Sequence, residues 1–282
     1  MANGMKGKTC VVTGANSGMG FVVARELARM GANVVLVCRS QSKGDLASNE
    51  IRRVTGNESV ELMIADLASL ESVRKFARDF NQNYQKLHVL VNNAGLILGK
   101  RTLTPDGLEA TFEVNYLSHF LLTHLLLDVL KASAPSRIVN ISSDAHTSGH
   151  MNFDDLQCER GYGGWKSYCQ SKLAQILFTY ELTERLKGTG VTVNCLHPGA
   201  VRTNWGDEAG TLGIGIRLAR PFMLSPDKGA ETALYVSTSP DLEGVSGKYF
   251  AKKREAQSSK ESYDEEERRK LWDISMKLSG LQ

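Results

Sequence analysis

Short apolar runs rich in β-branched residues alternate along this chain with longer stretches of helical spacing, and this alternation limits the possible folds more than any other feature. The runs Thr9–Thr13, Asn33–Cys38, Val60–Ile64, Val89–Val91, Arg137–Ile141 and Thr192–Leu196 are apolar on both sides of the pleat. Strands covered by helices on both faces read this way. Between them lie the helical spans Gly20–Gly31, Ser69–Asn83, Pro105–Ala132 and Lys166–Lys187, and a last short strand is expected at Lys248–Ala251. The pattern predicts one α/β domain over residues 1–282, with a doubly wound parallel sheet, right-handed crossovers and helices on both faces. Segment 202–226 breaks the alternation: glycines interrupt it, it carries the apolar stretch Leu212–Leu224, and it follows the penultimate strand. Ligands of open α/β sheets bind outside the carboxyl ends of the strands, so this insert reads as a substrate lid. The charged end, with Asp264–Glu267 followed by Arg268–Lys270, reads as a short solvated tail.

The first strand runs directly into Thr13-Gly14-Ala15-Asn16-Ser17-Gly18-Met19-Gly20, which opens the first helix. Glycines allow a tight turn and close backbone approach, and a helix N-terminus offers unpaired N–H groups and a positive dipole end to a pyrophosphate. Gly14, Asn16, Ser17, Gly18, Met19 and Gly20 are therefore expected to bind a dinucleotide. At the end of the second strand an acid would bind the ribose 2′-hydroxyl of NAD, whereas an arginine accommodates a 2′-phosphate. The chain reads Cys38-Arg39-Ser40, with Lys43 close behind and no acid before Asp45. Arg39, helped by Ser40 and Lys43, thus favours NADP(H) over NAD(H). Asp66 and Leu67 after the third strand are placed to reach the adenine. Asn93, Ala94 and Gly95 after the fourth offer small and amide residues where the chain must pass close to a ligand; both segments also read as turn or cap elements.

Composition excludes several classes. A net charge of +3 is too small to argue for a nucleic-acid partner. The five cysteines form no Cys-x-x-Cys and are odd in number, so neither a metal site nor a disulfide framework is expected, and a reducing compartment fits. Met1–Lys8 has no apolar h-region, and no apolar stretch is long enough to span a bilayer. A cytoplasmic protein is the expectation.

Tyr168 and Lys172 lie four residues apart in Ser167-Tyr168-Cys169-Gln170-Ser171-Lys172, one above the other on a helix face. A free phenol, with a pKa near ~10, transfers protons poorly at neutral pH. A nearby ammonium is expected to lower that value and make Tyr168 a usable acid or base. The ordered set Thr-Gly-x-x-x-Gly-x-Gly, Asn-Asn-Ala-Gly, a serine upstream of Tyr-x-x-x-Lys, and Pro198-Gly199 after the next strand resembles the short-chain dehydrogenases/reductases, whose fold is of the Rossmann type. The resemblance runs from Gly7 to about Leu278. It is strongest to the retinol-dehydrogenase-like branch, through Val114–Thr123, His197–Thr203, Gly247–Phe250 and Leu271–Ser275.

The resemblance implies a catalytic set of Asn115, Ser143, Tyr168 and Lys172, with Ser143 preferred over the adjacent Ser142. It implies that Tyr168 gives its proton to a carbonyl oxygen that Ser143 holds, while hydride passes between nicotinamide and carbon. Lys172 would bind the nicotinamide ribose, Asn115 would hold a water of a proton relay, and Pro198, Gly199, Val201 and Thr203 would orient the carboxamide. Ser143, Ala145, His146, Tyr162, Trp165 and Trp205, together with Ile97 and Leu98, are expected to line an apolar, partly aromatic substrate pocket. An NADP(H)-dependent oxidoreductase of lipophilic aldehydes, ketones or alcohols follows. The alternatives are a reductase of larger conjugated or carrier-bound substrates, and a nucleotide-sensing regulator. Leu121, Leu122, Leu125, Leu126 and Leu127 read either as a subunit interface of a homo-oligomer or as a core-facing stripe.

Overall fold

The computed structural model describes residues 4–202, 209, 210, 213, 218, 221 and 223–282. Eight strands form one sheet in the order β3-β2-β1-β4-β5-β6-β7-β8. They are β1 Thr9–Thr13, β2 Asn33–Cys38, β3 Val60–Ile64, β4 Val89–Asn92, β5 Ser136–Ile141, β6 Val191–His197, β7 Tyr249–Ala251 and β8 Arg254–Ala256. All neighbours pair in parallel except β7 and β8. The strand order reverses between β1 and β4, which opens a crevice at their carboxyl ends.

Helices α1 Gly18–Arg29, α2 Gln41–Thr55 and α3 Leu70–Asn83 cross between the early strands. The α2 span carries no clear apolar stripe in sequence, yet it docks closely because a Cβ on Gly44 would lie 2.5 Å from the Leu62 side chain. Only glycine lets the helix approach β3 this far. The predicted single helix over Pro105–Ala132 is instead broken. It comprises α4 Ala110–Phe112, a π-helical turn Glu113–Leu117, α5 Ser118–Leu125 and α6 Leu127–Ala132. Leu121, Leu122 and Leu126 are fully covered by the core of the same chain, so the leucine run needs no partner subunit to be buried.

Helix α7, Gly164–Arg185, is buried without interruption from Ser167 to Leu182, because it is covered by the sheet on one side and by later segments on the other. The charged C-terminus is one of these segments, not a solvated tail. Asp264 caps α9, Glu265–Leu278, by accepting from Glu267 N, and three glutamates in the first turn suit the helix dipole. Leu271 and Trp272 then bury against Phe120 and Phe178, and Ser275 meets the Tyr116 hydroxyl at 2.7 Å. The charges lie on the outer turns of an amphipathic helix whose apolar face is short, so the acidic and basic runs conceal it. Helix α8, Pro226–Thr238, packs beside α1 and brings Asp227 to Arg25. The basic run Lys252-Lys253 forms the two-residue turn of the β7–β8 hairpin, with both residues at positive φ, 51° and 60°. No helix among the described residues is long and apolar enough to cross a membrane.

Candidate active site

The glycine turn, Arg39, Asp66, Asn93–Gly95, Ser143 and Pro198–Gly199 follow the carboxyl ends of β1 to β6 in turn, whereas Asn115 and the Tyr168–Lys172 pair come from helices. Behind β1, Gly14 has φ +66° and a Cβ there would sit 3.0 Å from Ala94 Cα. A Cβ on Gly20 would fall 2.4 Å from both Gly14 O and Asn93 Nδ2, so glycine is required where the turn folds back on itself. Ser17 precedes α1 without a side-chain capping bond, and no acid occupies the first helical turn. The helix start is left with its positive end uncovered. Asn93 and Ala94 are spent differently from the sequence expectation: their N–H groups donate to Thr13 Oγ1 at 2.9 and 3.0 Å, and Asn93 Nδ2 donates to Thr13 O at 2.7 Å. They lock β4 to β1 across the crevice, leaving Gly95 as the small residue beside Asn115 and Lys172.

Arg39 is exposed behind β2 and pairs with no described carboxylate. Ser40 caps α2 by accepting from Lys43 N, which places the Lys43 backbone beside Arg39 and its side chain in solvent. Asp66 turns the chain by accepting from Ala68 N, and Leu67 O accepts from Ser118 Oγ at 2.6 Å. The loop after β3 is thereby tied to the start of α5.

At the end of β5 the two adjacent serines take different partners. Ser142 Oγ donates to Lys172 O at 2.8 Å and is buried, whereas the Ser143 hydroxyl accepts from Ala145 N at 3.2 Å and lies beside the Tyr168 phenol. Trp165 stacks on the Tyr168 ring with centroids 5.9 Å apart, and is itself 46% exposed. Ile97, Ala145, Cys169 and Ala209 close an apolar cluster around Tyr168. Leu98 is buried close by, with its carbonyl oxygen against Gly164 at the start of α7. Lys172 Nζ lies 5.5 Å from the Tyr168 ring centroid and donates to Ile141 O and Gln175 Oε1, each at 3.0 Å.

The electrostatics differ from the sequence expectation. Burial pushes the Tyr168 phenol above its ordinary value, with the Ser143 hydrogen bond acting the other way. Burial also brings Lys172 down to about 7. Burial is the largest cause for both groups, and it acts against the charged form of each.

Asn115 sits at the centre of the π-helical turn. Its Oδ1 accepts from Leu96 N at 2.8 Å, and its Nδ2 donates to Leu96 O at 2.9 Å and to Ser171 Oγ at 3.0 Å. The two amide protons and one acceptor site of Oδ1 are thus used in fixing the loop after β4 to α7. Its main-chain oxygen meets His119 Nδ1 at 3.1 Å, and His119 Nε2 meets Thr13 Oγ1 at 3.0 Å. Because a carbonyl can only accept, His119 carries its proton on Nδ1 and Thr13 donates to Nε2. Burial lowers His119 to about 4, so it stays neutral.

Two expected pocket residues point elsewhere. His146 is buried against Tyr249; its Nδ1 meets Ser143 O at 2.6 Å and its Nε2 accepts from Ser259 N at 3.0 Å. Both ring nitrogens are committed to backbone, which fastens the C-terminal segment behind Ser143. The Tyr162 hydroxyl is 3.1 Å from Leu98 O and 3.4 Å from both Glu109 Oε1 and Thr111 Oγ1, so it supports the loop instead of a ligand. Gly199 has φ +92° and faces Leu224, while Val201 bridges to Leu224 in parallel, pinning the loop after Pro198. Thr203, Trp205 and most of the predicted lid lie outside the described residues.

Sequence reasoning missed Glu109. Its fully buried carboxylate accepts from Thr111 N at 2.9 Å, Phe112 N at 2.8 Å and Ser167 Oγ at 2.8 Å. It caps the helix carrying Asn115 and holds the residue before Tyr168. Its capping bonds to Thr111 and Phe112 are local, but the partner that ties it to α7, Ser167, is 58 positions away and leaves no mark in the sequence around it. Glu109→Ala leaves these donors without an acceptor, and is expected to cost about 2–4 kcal/mol in denaturant unfolding while α7 keeps its length.

The short chain dehydrogenase family matches residues 8–212. Mouse retinol dehydrogenase 13 is 49% identical over 282 residues, spanning 98% of this chain and 84% of the relative. Human retinol dehydrogenase 11 is 46% identical over 277 residues, 98% and 87% of the two chains. A crystal structure of an uncharacterized protein from Mycobacterium paratuberculosis superposes with a TM-score of 0.79 at 34% identity, covering 98% of this chain and 94% of that one. With the β1/β4 crevice and the Ser143–Tyr168 hydroxyl pair already in place, these likenesses leave one assignment: the chain belongs to the short-chain dehydrogenases, in the retinol-dehydrogenase-like branch, and is an oxidoreductase that interconverts alcohols and carbonyls.

Proposed function

We propose that the protein is an NADP(H)-dependent reductase or dehydrogenase of a lipophilic aldehyde, ketone or alcohol, and that Asn115, Ser143, Tyr168 and Lys172 carry the reaction. The observation that carries this reading is the Tyr168 ring enclosed in an apolar cluster with the buried Lys172 Nζ 5.5 Å from its centroid and the Ser143 hydroxyl beside the phenol.

A nicotinamide dinucleotide fits the residues present. The uncovered start of α1 suits its pyrophosphate, Arg39 suits a 2′-phosphate, and Asp66 and Leu67 border the adenine side. Lys172 would bind the nicotinamide ribose, and Val201 and Thr203 would orient the carboxamide. When bound, the cofactor supplies or accepts the hydride. In the reducing direction Tyr168 gives its phenolic proton to the carbonyl oxygen as negative charge grows there. Ser143 donates a hydrogen bond to the same oxygen and stabilises that charge in a site from which Ile97, Ala145 and Cys169 exclude water. In the oxidising direction the phenolate takes the alcohol proton. Asn115 acts by geometry, fixing the loop after β4 against α7 so that Gly95 passes close to Lys172. Trp165, half exposed over Tyr168, gives an apolar substrate a surface to lie on.

The relatives' name points to retinoids as the first substrates to try, beside aliphatic aldehydes and ketones. Steady-state rates with NADPH and NADH over that panel test the reading. Arg39→Ala is expected to raise KM for NADPH about 10–100-fold with little effect on NADH, the range set by losing a charge-assisted contact of ~1.5–3 kcal/mol. Equal use of both cofactors by the parent enzyme overturns the NADP(H) assignment.

A further inference from the structure

The Lys172 ammonium is enclosed, only 4% exposed, and a buried cation requires acceptors for its protons. Among the described residues it has two, the Ile141 carbonyl at the end of β5 and the side-chain oxygen of Gln175. No described carboxylate forms an ion pair with it, and the titratable groups that face it are Tyr168 on its own helix and His119 from α5. From the loop after β4 uncharged Gly95 approaches, and from β5 only backbone. Gln175 follows Lys172 by three positions on α7, which puts both side chains on one helix face.

Gln175 is 2% exposed, and its Nε2 has no hydrogen-bond partner among the described residues. Turning the amide over would set N–H against an ammonium, so the cation dictates the orientation that leaves Nε2 unsatisfied. A glutamine held this way costs stability that an apolar residue of the same length would not. Its packing therefore does not account for it, whereas its oxygen does.

We propose that Gln175 is a positioning residue for Lys172: its amide oxygen holds the buried ammonium charged and fixed between α7 and the end of β5, ready for the ribose hydroxyls of the cofactor. The inference rests on the assignment of Lys172 given above. A neutral acceptor suits this task, since it supports the charge without forming an ion pair that would compete with the cofactor.

The test uses two variants of matched length, Gln175→Met and Gln175→Glu, with NADPH and retinal as probes. Rates and NADPH affinity, the latter from quenching of intrinsic fluorescence, are followed against pH. Removing the acceptor favours neutral Lys172, so the high-pH limb on which the ammonium is lost moves down by about one pH unit in Gln175→Met. Placing a carboxylate there moves it up by a similar amount or more in Gln175→Glu, as expected for an opposite charge in contact. Damage to packing alone would move both variants in the same direction. Shifts of opposite sign support the inference, in the affinity profile alone if turnover is too slow to follow. Shifts of one sign, or none in either variant, overturn it. Lys172→Met separates the two assignments: if it keeps the parent rates and pH profile, the role of Lys172 itself is wrong, whereas if it loses them while both Gln175 variants keep the parent limb, only the role of Gln175 fails.

Discussion

Tyr168→Phe is expected to lower turnover roughly 10²–10⁴-fold while cofactor affinity changes little, because it removes the acid and leaves the ring. The ring keeps its stacking on Trp165 and its place over Lys172, so the apolar cluster around Ile97, Ala145 and Cys169 stays filled. The hydroxyl is the only part lost, and with it the contact with the Ser143 hydroxyl. The measurement is a comparison of single-turnover rate and NADPH affinity in the two proteins. A variant that turned over at the parent rate would remove Tyr168 from the mechanism. A variant that lost affinity and rate together would show the phenol to be a binding group instead.

Lys172→Met is expected to lower turnover at least about 100-fold and, at the same time, to change how stability depends on pH. Burial holds Lys172 at about 7 in the folded protein against an ordinary 10.5. Between those values the unfolded chain binds a proton that the folded chain does not. Stability of the parent protein therefore rises with pH across that window, since it rises wherever the unfolded state binds more protons. The charge is a cost to folding below about pH 7 that is relieved as the lysine deprotonates. Methionine has no proton to release, so the variant lacks this rise. Denaturant unfolding at neutral and alkaline pH measures it. Equal slopes in both proteins would show that Lys172 is hydrated and ordinary. The Tyr168 phenol, pushed up by burial, works in the opposite sense only above its ordinary range, so the two contributions separate on the pH axis.

The pairing of a high phenol with a low ammonium changes the picture of how this site works. A tyrosine that stays protonated is a ready donor in the reducing direction, whereas oxidation needs a phenolate that burial disfavours. The fixed charges of a bound cofactor alter that balance, and so does the Ser143 hydroxyl, which already acts to lower the phenol. The enzyme thus presents its acid and its cation in a dry, preorganised setting whose charge is completed by ligands.

Much of the architecture was legible because it depends on local rules. The spans of β1 and β2 agree residue for residue with the apolar runs, since strands covered on both faces must be apolar on both; edge strand β3 agrees in span although most of it is only partly covered. The glycine turn was legible for the same kind of reason: Gly14 and Gly20 have no room for a Cβ whatever else the protein does. The π-helical turn at Asn115 was not, because one extra residue in a helical turn leaves the apolar spacing nearly unchanged. Nor was α9, whose apolar face of Leu271, Trp272 and Ser275 is hidden among acids and bases until Phe120 and Phe178 are there to receive it.

The sheet, the tight glycine turn after β1 and the stacking of Tyr168 and Lys172 on one helix face were legible, since each rests on spacing along a single element. Packing alone showed that Ser142 is spent on the Lys172 carbonyl, that His146 is committed to backbone, that Asn115 and Tyr162 bond both backbone and side chains, and that Glu109 ties the start of α4 to α7. It also showed burial acting against the charged form of both the phenol and the ammonium. The physical reason is common to all of these: hydrogen-bond partners far apart in the chain, and the loss of water around them, exist only once the elements have packed.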